Sequence, residues 1–238
     1  MHSHPPRVAL DLETTGLYAE QDAIIEIGAV KFVGDEILDV LHTCVAPGIP
    51  LPYRIQRLTG ITPAELRGAP TLAATLPALR EFLGDLPLVG HNIPFDAAFL
   101  RRTGLARHNP LIDTYELASA LLPNLKNYTL GCVAEALGVP GDIHHRALAD
   151  AQLARQVLLA LLAHLAQLDS SVVEALEALP AAPEWTLNVF LRQQVRARQA
   201  PAGTGFGGLL GTALGDQLRS KLEVDPGVLA LAIANELE

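Results

Sequence analysis

Residues 9–17 read ALDLETTGL, an apolar, strand-like stretch that carries two carboxylates, Asp11 and Glu13. Side chains at positions i and i+2 of a strand point to the same face, so these two acids converge on one point. Two carboxylates held together repel each other, and one is driven towards protonation unless a cation lies between them. A hard divalent cation such as Mg²⁺ or Mn²⁺, which prefers oxygen ligands, supplies that compensation. The alternative is an edge strand with both acids in water, and the letters DLE by themselves favour it.

Three further signals follow this pair along the chain. The letters TTG directly after Glu13 predict a tight turn whose hydroxyls and backbone N–H groups face an anionic substrate. In HNIPFD, a buried strand ends at Asn92 and the next helix presents Asp96. In HHRALADA, His145 precedes a helix and Asp150 lies in its second turn. Each signal by itself has an ordinary structural explanation, such as an exposed acid in a first helical turn.

The pattern of apolar residues predicts the elements that carry these motifs. Runs at 7–12, 23–33 and 37–45 predict strands, and the short GDE turn makes the last two an antiparallel hairpin. Thr62 is expected to cap a short helix, and Pro77 to kink or shorten the helix that contains it. Further strands are expected at 86–92 and 110–114, and helices at 71–84, 94–104, 115–122, 129–137 and 146–168. This order predicts an α/β fold, a mixed sheet flanked by helices.

The composition of the chain changes after Leu168. We therefore expect a catalytic domain over residues 1–168 and a helical, partly flexible C-terminal extension over 169–238. The extension contains a glycine-rich stretch at 200–211 that lacks the lysine of a phosphate-binding loop, so no ATPase is expected there.

Charge and apolar content limit the functional classes. The chain has 17 basic and 26 acidic residues and a net charge of −9, which argues against a protein that coats nucleic acid. It does not argue against an enzyme that holds one strand end through metal ions. Cys44 and Cys132 have no paired spacing and are interpreted as reduced thiols. We found no apolar run of about 18 residues and no signal-peptide core, so a soluble, cytoplasmic protein without membrane contact is expected.

Taken in order, the motifs DLETTG, HNxxFD and HRALAD resemble those of the DEDD-type 3′–5′ exonucleases. The similarity is to the histidine-containing (DEDDh, DnaQ-like) branch, which includes DNA polymerase proofreading subunits and ribonuclease T, and it covers residues 7–165. It implies a ribonuclease H-like fold. It also implies release of nucleoside 5′-monophosphates from single-stranded or frayed 3′ ends of DNA by two-metal hydrolysis, with RNA left open as a substrate.

The resemblance also implies roles for individual residues. Asp11, Glu13 and Asp150 would bind two Mg²⁺ or Mn²⁺ ions, and Asp96 would support the site through a metal-bound water. His145 would take the proton of the attacking water, as imidazole does near neutral pH. His144 lies one residue out of register and is interpreted as structural. Alternation along the strand places Glu26 at a polar or half-buried position, and it is also interpreted as structural. The residues expected around the terminal nucleotide are Leu12, Thr14, Thr15, Leu58, Asn92 and Phe95, of which Leu58 and Phe95 would pack on bases; for Phe95 a core position is an equal alternative.

Several assemblies are compatible with these motifs. Similar modules stand alone, accompany polymerases, or precede a helicase as in DinG-like proteins, so a polymerase, a helicase or a second copy could dock on residues 169–238. A different class of function is a non-catalytic or regulatory nucleic-acid-binding module of a replication or repair assembly. The intact set of five motif residues argues for the enzyme.

Overall fold

The computed structural model describes residues 5–141 and 145–167, so His144 and the expected extension 169–238 lie outside the described residues. The described strands are β1 (Arg7–Thr14), β2 (Ile24–Val33), β3 (Glu36–Cys44), β4 (Leu88–Gly90) and β5 (Leu111–Asp113). The described helices are α1 (Tyr53–Thr59), α2 (Pro63–Arg67), α3 (Leu72–Leu83), α4 (Ile93–Arg102), α5 (Thr114–Leu121), α6 (Leu130–Ala136) and α7 (Ala147–Gln167). The division into two domains stays a prediction.

The five strands form one mixed sheet in the order β3-β2-β1-β4-β5. β1, β2 and β3 are antiparallel neighbours, whereas β4 and β5 run parallel to β1. The carboxyl ends of β1 and β4 therefore meet at the same edge of the sheet, and α4 begins there directly after β4. This arrangement confirms the predicted α/β class and the predicted hairpin.

The two faces of β1 have different surroundings because side chains alternate along a strand. Leu10 and Leu12 belong to the main apolar cluster, together with residues of α3 and α4 such as Leu79 and Phe99. Asp11 lies between the two leucines in sequence, so its side chain points to the opposite face. Alternation thus places one face of β1 in the core and makes the other face a polar site.

Helix α7 packs against β2 at Gly28. A Cβ atom on this glycine would lie 2.2 Å from the backbone carbon of Ala147 and 2.2 Å from the nitrogen of Leu148, so a larger residue there would push the helix away. Further along α7, the Arg155 guanidinium lies 5.7 Å from the centre of the Phe32 ring on β2. The start of α7 is therefore held at backbone contact distance from the sheet.

By length and composition, α7 is also the one helix among the described residues that could cross a membrane, with a mean hydropathy of 1.2 in its most apolar window. This corrects the expectation that no stretch of the sequence is long and apolar enough. Half of that window is buried inside the protein. A core helix passes the same test of length and hydropathy, so the observation is weak evidence for a membrane span.

The helix predictions made from local sequence signals were confirmed for the cap of α2, but they differ from the structure at α3 and α1. Thr62 caps α2 in a full capping box with Glu65, as its position predicts. Pro77 does not shorten α3, which continues to Leu83 with Leu79, Phe82 and Leu83 buried beyond the proline, and a kink at Pro77 stays a prediction. Helix α1 was not predicted, since only two of its seven residues are buried and the apolar period is too short to read.

Candidate active site

Three carboxylates converge at the edge of the sheet. One carboxylate oxygen each from Asp11, Glu13 and Asp150 lies within 4.8 Å of the other two. The first two come from the same face of β1, and Asp150 comes from the first turn of α7, one turn earlier than expected because the helix begins at Ala147. The close approach of α7 to Gly28, which pairs with Asp11 across the ladder, is what brings the third carboxylate to the first two.

The electrostatics of this cluster favour a bound cation. Burial, followed by the charges of Asp96, Glu13 and Asp150, raises the pKa of Asp11 well above its usual range. Burial and the charges of Asp150 and Glu26 likewise raise the pKa of Glu13 to about 8. For both acids, the ionised form is therefore unfavourable unless a cation lies nearby. Three converging carboxylates are hard oxygen donors, so the residues fit Mg²⁺ or Mn²⁺.

Asp96 lies in the first turn of α4 and faces β1. Its Oδ1 atom accepts a 2.9 Å hydrogen bond from the backbone N–H of Leu12, the residue between the two strand carboxylates. Burial raises the pKa of Asp96 well above its usual range, although the bond from Leu12 acts in the opposite direction. Asp96 is thus fixed beside the cluster, and its expected action through water stays a prediction.

His145 is exposed and lies two residues before α7, in a left-handed backbone conformation with φ of 46°. A non-glycine residue with positive φ is uncommon, and such residues occur often at functional sites. The residues directly before it, 142–144, lie outside the described part of the chain. The structure therefore places His145 at the junction that leads into the helix of Asp150, and its role as a base stays a prediction.

Glu26 was expected to be polar or half-buried, and the structure corrects this: its side chain has no exposed surface. It lies on β2 directly opposite Glu13 in the ladder. Burial would raise its pKa, but hydrogen bonds from Arg146, His42 and the backbone N–H of Ala147 hold the pKa below its usual value. Alternation along the strand predicted neither the depth of burial nor these partners.

A second set of polar contacts holds the start of α4. The backbone N–H of Asn92, in a left-handed conformation with φ of 64°, donates to Oδ1 of Asp113 at 2.8 Å. His91 contacts the Tyr128 carbonyl oxygen through Nε2 at 2.6 Å, and burial lowers its pKa to about 4. We did not predict Asp113 or His91; the only available signal was a polar side chain at the carboxyl end of a strand.

The turn after β1 uses its own hydroxyls. The Thr14 hydroxyl donates to the Gly16 carbonyl oxygen at 2.6 Å, and the Thr15 hydroxyl donates to Oδ1 of Asp22 at 3.1 Å while accepting from the N–H of Ala23 at 2.9 Å. Both threonines are buried. These bonds stiffen the turn, and contacts between the threonines and a substrate stay predictions.

Two of the remaining residues expected at the terminal nucleotide, Leu12 and Phe95, contact the main apolar cluster. Leu12 is buried in the main core. Phe95 is partly buried against the same core, with its ring centre 5.1 Å from that of Phe99. Leu58 is half-buried near the end of α1. Phe95 thus makes the contacts expected of a core residue, which was the alternative to a base-stacking role. Stacking of bases on Phe95 and Leu58 stays a prediction.

Comparison with known proteins agrees with this geometry. The profile of the family described as Exonuclease matches residues 8–158. The PolC-type DNA polymerase III of Clostridium perfringens is 43% identical over 155 residues, which cover 63% of this chain and 11% of that protein. The DNA polymerase III subunit epsilon of Aquifex aeolicus is 39% identical over 163 residues, covering 66% of this chain and 81% of that one. The chain thus spans about a tenth of its PolC-type relatives and most of the epsilon subunit.

Solved structures share the fold. Exonuclease X, solved in complex with 5′ overhanging duplex DNA, matches 69% of this chain and 95% of its own, with 25% identity and a TM-score of 0.56. This match confirms the ribonuclease H-like architecture expected from the motifs.

Proposed function

The chain belongs to this exonuclease family, and from that premise we propose that it hydrolyses single-stranded or frayed 3′ ends of DNA and releases nucleoside 5′-monophosphates. The observation that carries the proposal is the cluster of Asp11, Glu13 and Asp150, whose carboxylate oxygens lie within 4.8 Å of one another. Relatives that are parts of DNA polymerase III, and a neighbour solved with DNA, support DNA as the substrate.

The residues of the site divide the chemistry between them. Asp11, Glu13 and Asp150 would hold two divalent ions, Mg²⁺ or Mn²⁺. When bound, such ions stabilise the attacking and leaving oxygens of an in-line displacement at phosphorus. A ring nitrogen of His145 would accept a proton from the attacking water, since imidazole is the side chain best suited to do so at neutral pH. Asp96 would hold β1 in place through Leu12 while the substrate binds.

Strand polarity and end structure give the first test. A DNA strand labelled at its 5′ end should shorten as a ladder, and a single strand should be degraded at least about 10-fold faster than a blunt duplex. The reason is that the terminal nucleotide has to leave its pair, which costs a few kcal/mol, and 1.4 kcal/mol is tenfold in rate. The measurement is gel electrophoresis of matched DNA and RNA oligonucleotides in Mg²⁺ or Mn²⁺.

The control for this test is the same strand labelled at its 3′ end, which should lose its label in the first turnover. Immediate release of the 5′ label as a mononucleotide would show the opposite polarity and refute the proposal. Binding of the strand without any release of nucleotide would favour the alternative, a non-catalytic nucleic-acid-binding module.

The raised carboxylate pKa values predict how metal binding depends on pH. Because the pKa of Glu13 is about 8 in the folded protein, against an ordinary 4.5, the folded state binds more protons than the unfolded state between these values. The metal-free protein should therefore lose stability as the pH rises through this window. Ions compete with those protons, so the rise in melting temperature on adding Mg²⁺ should be larger at pH 8 than at pH 6.

This pH dependence is measured by thermal melting at both values, with NaCl of matched ionic strength as the control for screening. An equal or smaller rise at pH 8 would mean that the cluster does not take up ions in place of protons. Since no nucleic acid is present, the result is independent of substrate choice.

The setting of the activity is also a proposal. Relatives named as parts of DNA polymerase III support a role in DNA replication, in contact with a polymerase. A helicase or a second copy as partner, docking through residues 169–238, stays a prediction that falls outside the described residues. A cytoplasmic location likewise stays a prediction.

A further inference from the structure

We propose that Glu26 is a positioning residue of this site, which, together with Arg146, fixes the junction between His145 and α7 against the sheet. The inference rests on the proposed function, since His145 and Asp150 are the groups that it positions. Glu26 itself touches neither substrate nor metal in this proposal.

The Glu26 carboxylate binds two successive residues of the junction. The Arg146 guanidinium donates from Nη2 to Oε1 at 2.8 Å and from Nε to the two carboxylate oxygens at 3.1 and 3.2 Å. The backbone N–H of Ala147, the first residue of α7, donates to Oε2 at 2.9 Å. His42 from β3 contacts Oε1 at 2.8 Å. A fully buried carboxylate is thus surrounded by donors, and two of its partners lie at the start of α7.

These contacts reach the site from both sides of Arg146. His145 directly precedes Arg146, so the position of its backbone follows that of Arg146. On the other side, the backbone N–H of Asp150 donates to the Arg146 carbonyl oxygen at 3.0 Å in the first turn of α7. A shift of Arg146 would therefore displace His145 and Asp150 together.

We call the contacts of Glu26 with Arg146 and Ala147 the anchor. The position of Glu26 in the sheet fixes where this anchor holds α7 relative to β1. Glu26 pairs with Glu13, and Gly28, two residues along, pairs with Asp11. The strand that holds α7 is therefore hydrogen-bonded to the strand that carries two of the carboxylates. Gly28 lets the helix backbone approach and Glu26 fastens it, so the distance between Asp150 and the other two acids is set by one neighbouring strand.

The charges around the anchor explain why both partners are needed. The negative charge of Glu26 raises the pKa of Asp11 and of Glu13, whereas the Arg146 guanidinium acts on Glu13 in the opposite direction. Removing the arginine of this pair leaves the buried Glu26 carboxylate with only Ala147 and His42 to compensate its charge. Loss of Arg146 would thus leave the Glu26 charge next to the carboxylate cluster.

The test compares Glu26→Gln, Arg146→Gln and the double variant in the full chain. Changes in the residues that orient metal ligands typically cost about 10- to 100-fold in activity or metal affinity. We expect kcat to fall by about this factor with KM nearly unchanged, and the Mg²⁺ concentration that gives half of the thermal stabilisation to rise. The double variant should be no worse than the worse single variant, because both changes break one link. Arg146→Lys, which keeps the charge but not the fork, should recover only part of the activity.

Glu65→Gln is the matched control. Glu65 also faces Arg146, with Oε1 4.0 Å from Nη2, but it is exposed and caps α2. Glutamine preserves a capping box, so this variant should behave like the wild type. Wild-type behaviour of this variant would show that the effect requires the loss of Glu26 itself, and that neutralising another carboxylate near Arg146 does not produce it.

Three outcomes would separate the possibilities. A lower melting temperature with wild-type kcat and an unchanged Mg²⁺ midpoint would show a purely structural role and overturn the inference. If Glu26→Gln does not fold, Arg146→Gln decides, because the Arg146 side chain is 36% exposed and its loss is better tolerated. If the wild type releases no nucleotide, the proposed function fails, but the Mg²⁺ midpoint still tests the anchor: a shift in the variants supports it, and no shift overturns it.

Discussion

The Asp11→Asn variant is expected to lose at least about 10³-fold in nuclease activity and most of its stabilisation by Mg²⁺. Asp11 is one of the three carboxylates whose oxygens lie within 4.8 Å of one another, so the amide removes a ligand of the proposed ions. Ions at such sites supply several kcal/mol to the transition state, and each 1.4 kcal/mol is tenfold in rate. The measurements are single-turnover cleavage of a labelled oligonucleotide and thermal melting with and without Mg²⁺.

The same variant should melt at a higher temperature than the wild type when both are free of metal at pH 8. The amide is neutral and nearly isosteric, so it removes both the cost of burying the Asp11 carboxylate and its repulsion by neighbouring acids, which together raise the pKa of Asp11 in the wild type. Gain of stability with loss of activity is the signature of a functional acid rather than a structural one. Asp39→Asn, in an exposed part of β3, is the matched control and should change neither property. Retention of activity in Asp11→Asn would remove the carboxylate cluster from the mechanism.

The His145→Ala variant is expected to lose about 10²- to 10⁴-fold in rate, the usual contribution of a positioned general base. Its stabilisation by Mg²⁺ should stay close to that of the wild type, because the three carboxylates remain in place. Added imidazole should restore part of the activity by accepting the proton in place of the side chain. Metal binding and proton transfer are thereby separated in two variants of the same protein.

Two controls belong to the His145 test. His108→Ala removes another exposed histidine and should have no effect. His145→Asn keeps a residue that tolerates positive φ, so it distinguishes loss of the imidazole from strain at the φ of 46°. Turnover near the wild-type rate in both His145 variants would mean that His145 is not the base, and His144 would be examined next.

The sequence predicted most of the elements because their signals are local. The apolar runs and the short turn predicted the β2–β3 hairpin, and Thr62 as a cap predicted the start of α2. The failures have physical causes as well. Helix α1 has too few buried residues to show a period, and the packing of α3 outweighs the hydrogen bond that Pro77 cannot make.

The sequence by itself determined that Asp11 and Glu13 share a face, because the two-residue period of a strand requires only local geometry. It also determined the order of the three motifs. Only the tertiary structure decided how Asp150 reaches the other two acids. That step depends on helix α7 meeting β2 at Gly28 and on Glu26 binding Arg146 and Ala147, which lie 120 and 121 positions further along the chain. No local pattern encodes a contact of that separation, because it forms only when the sheet and the last described helix pack together.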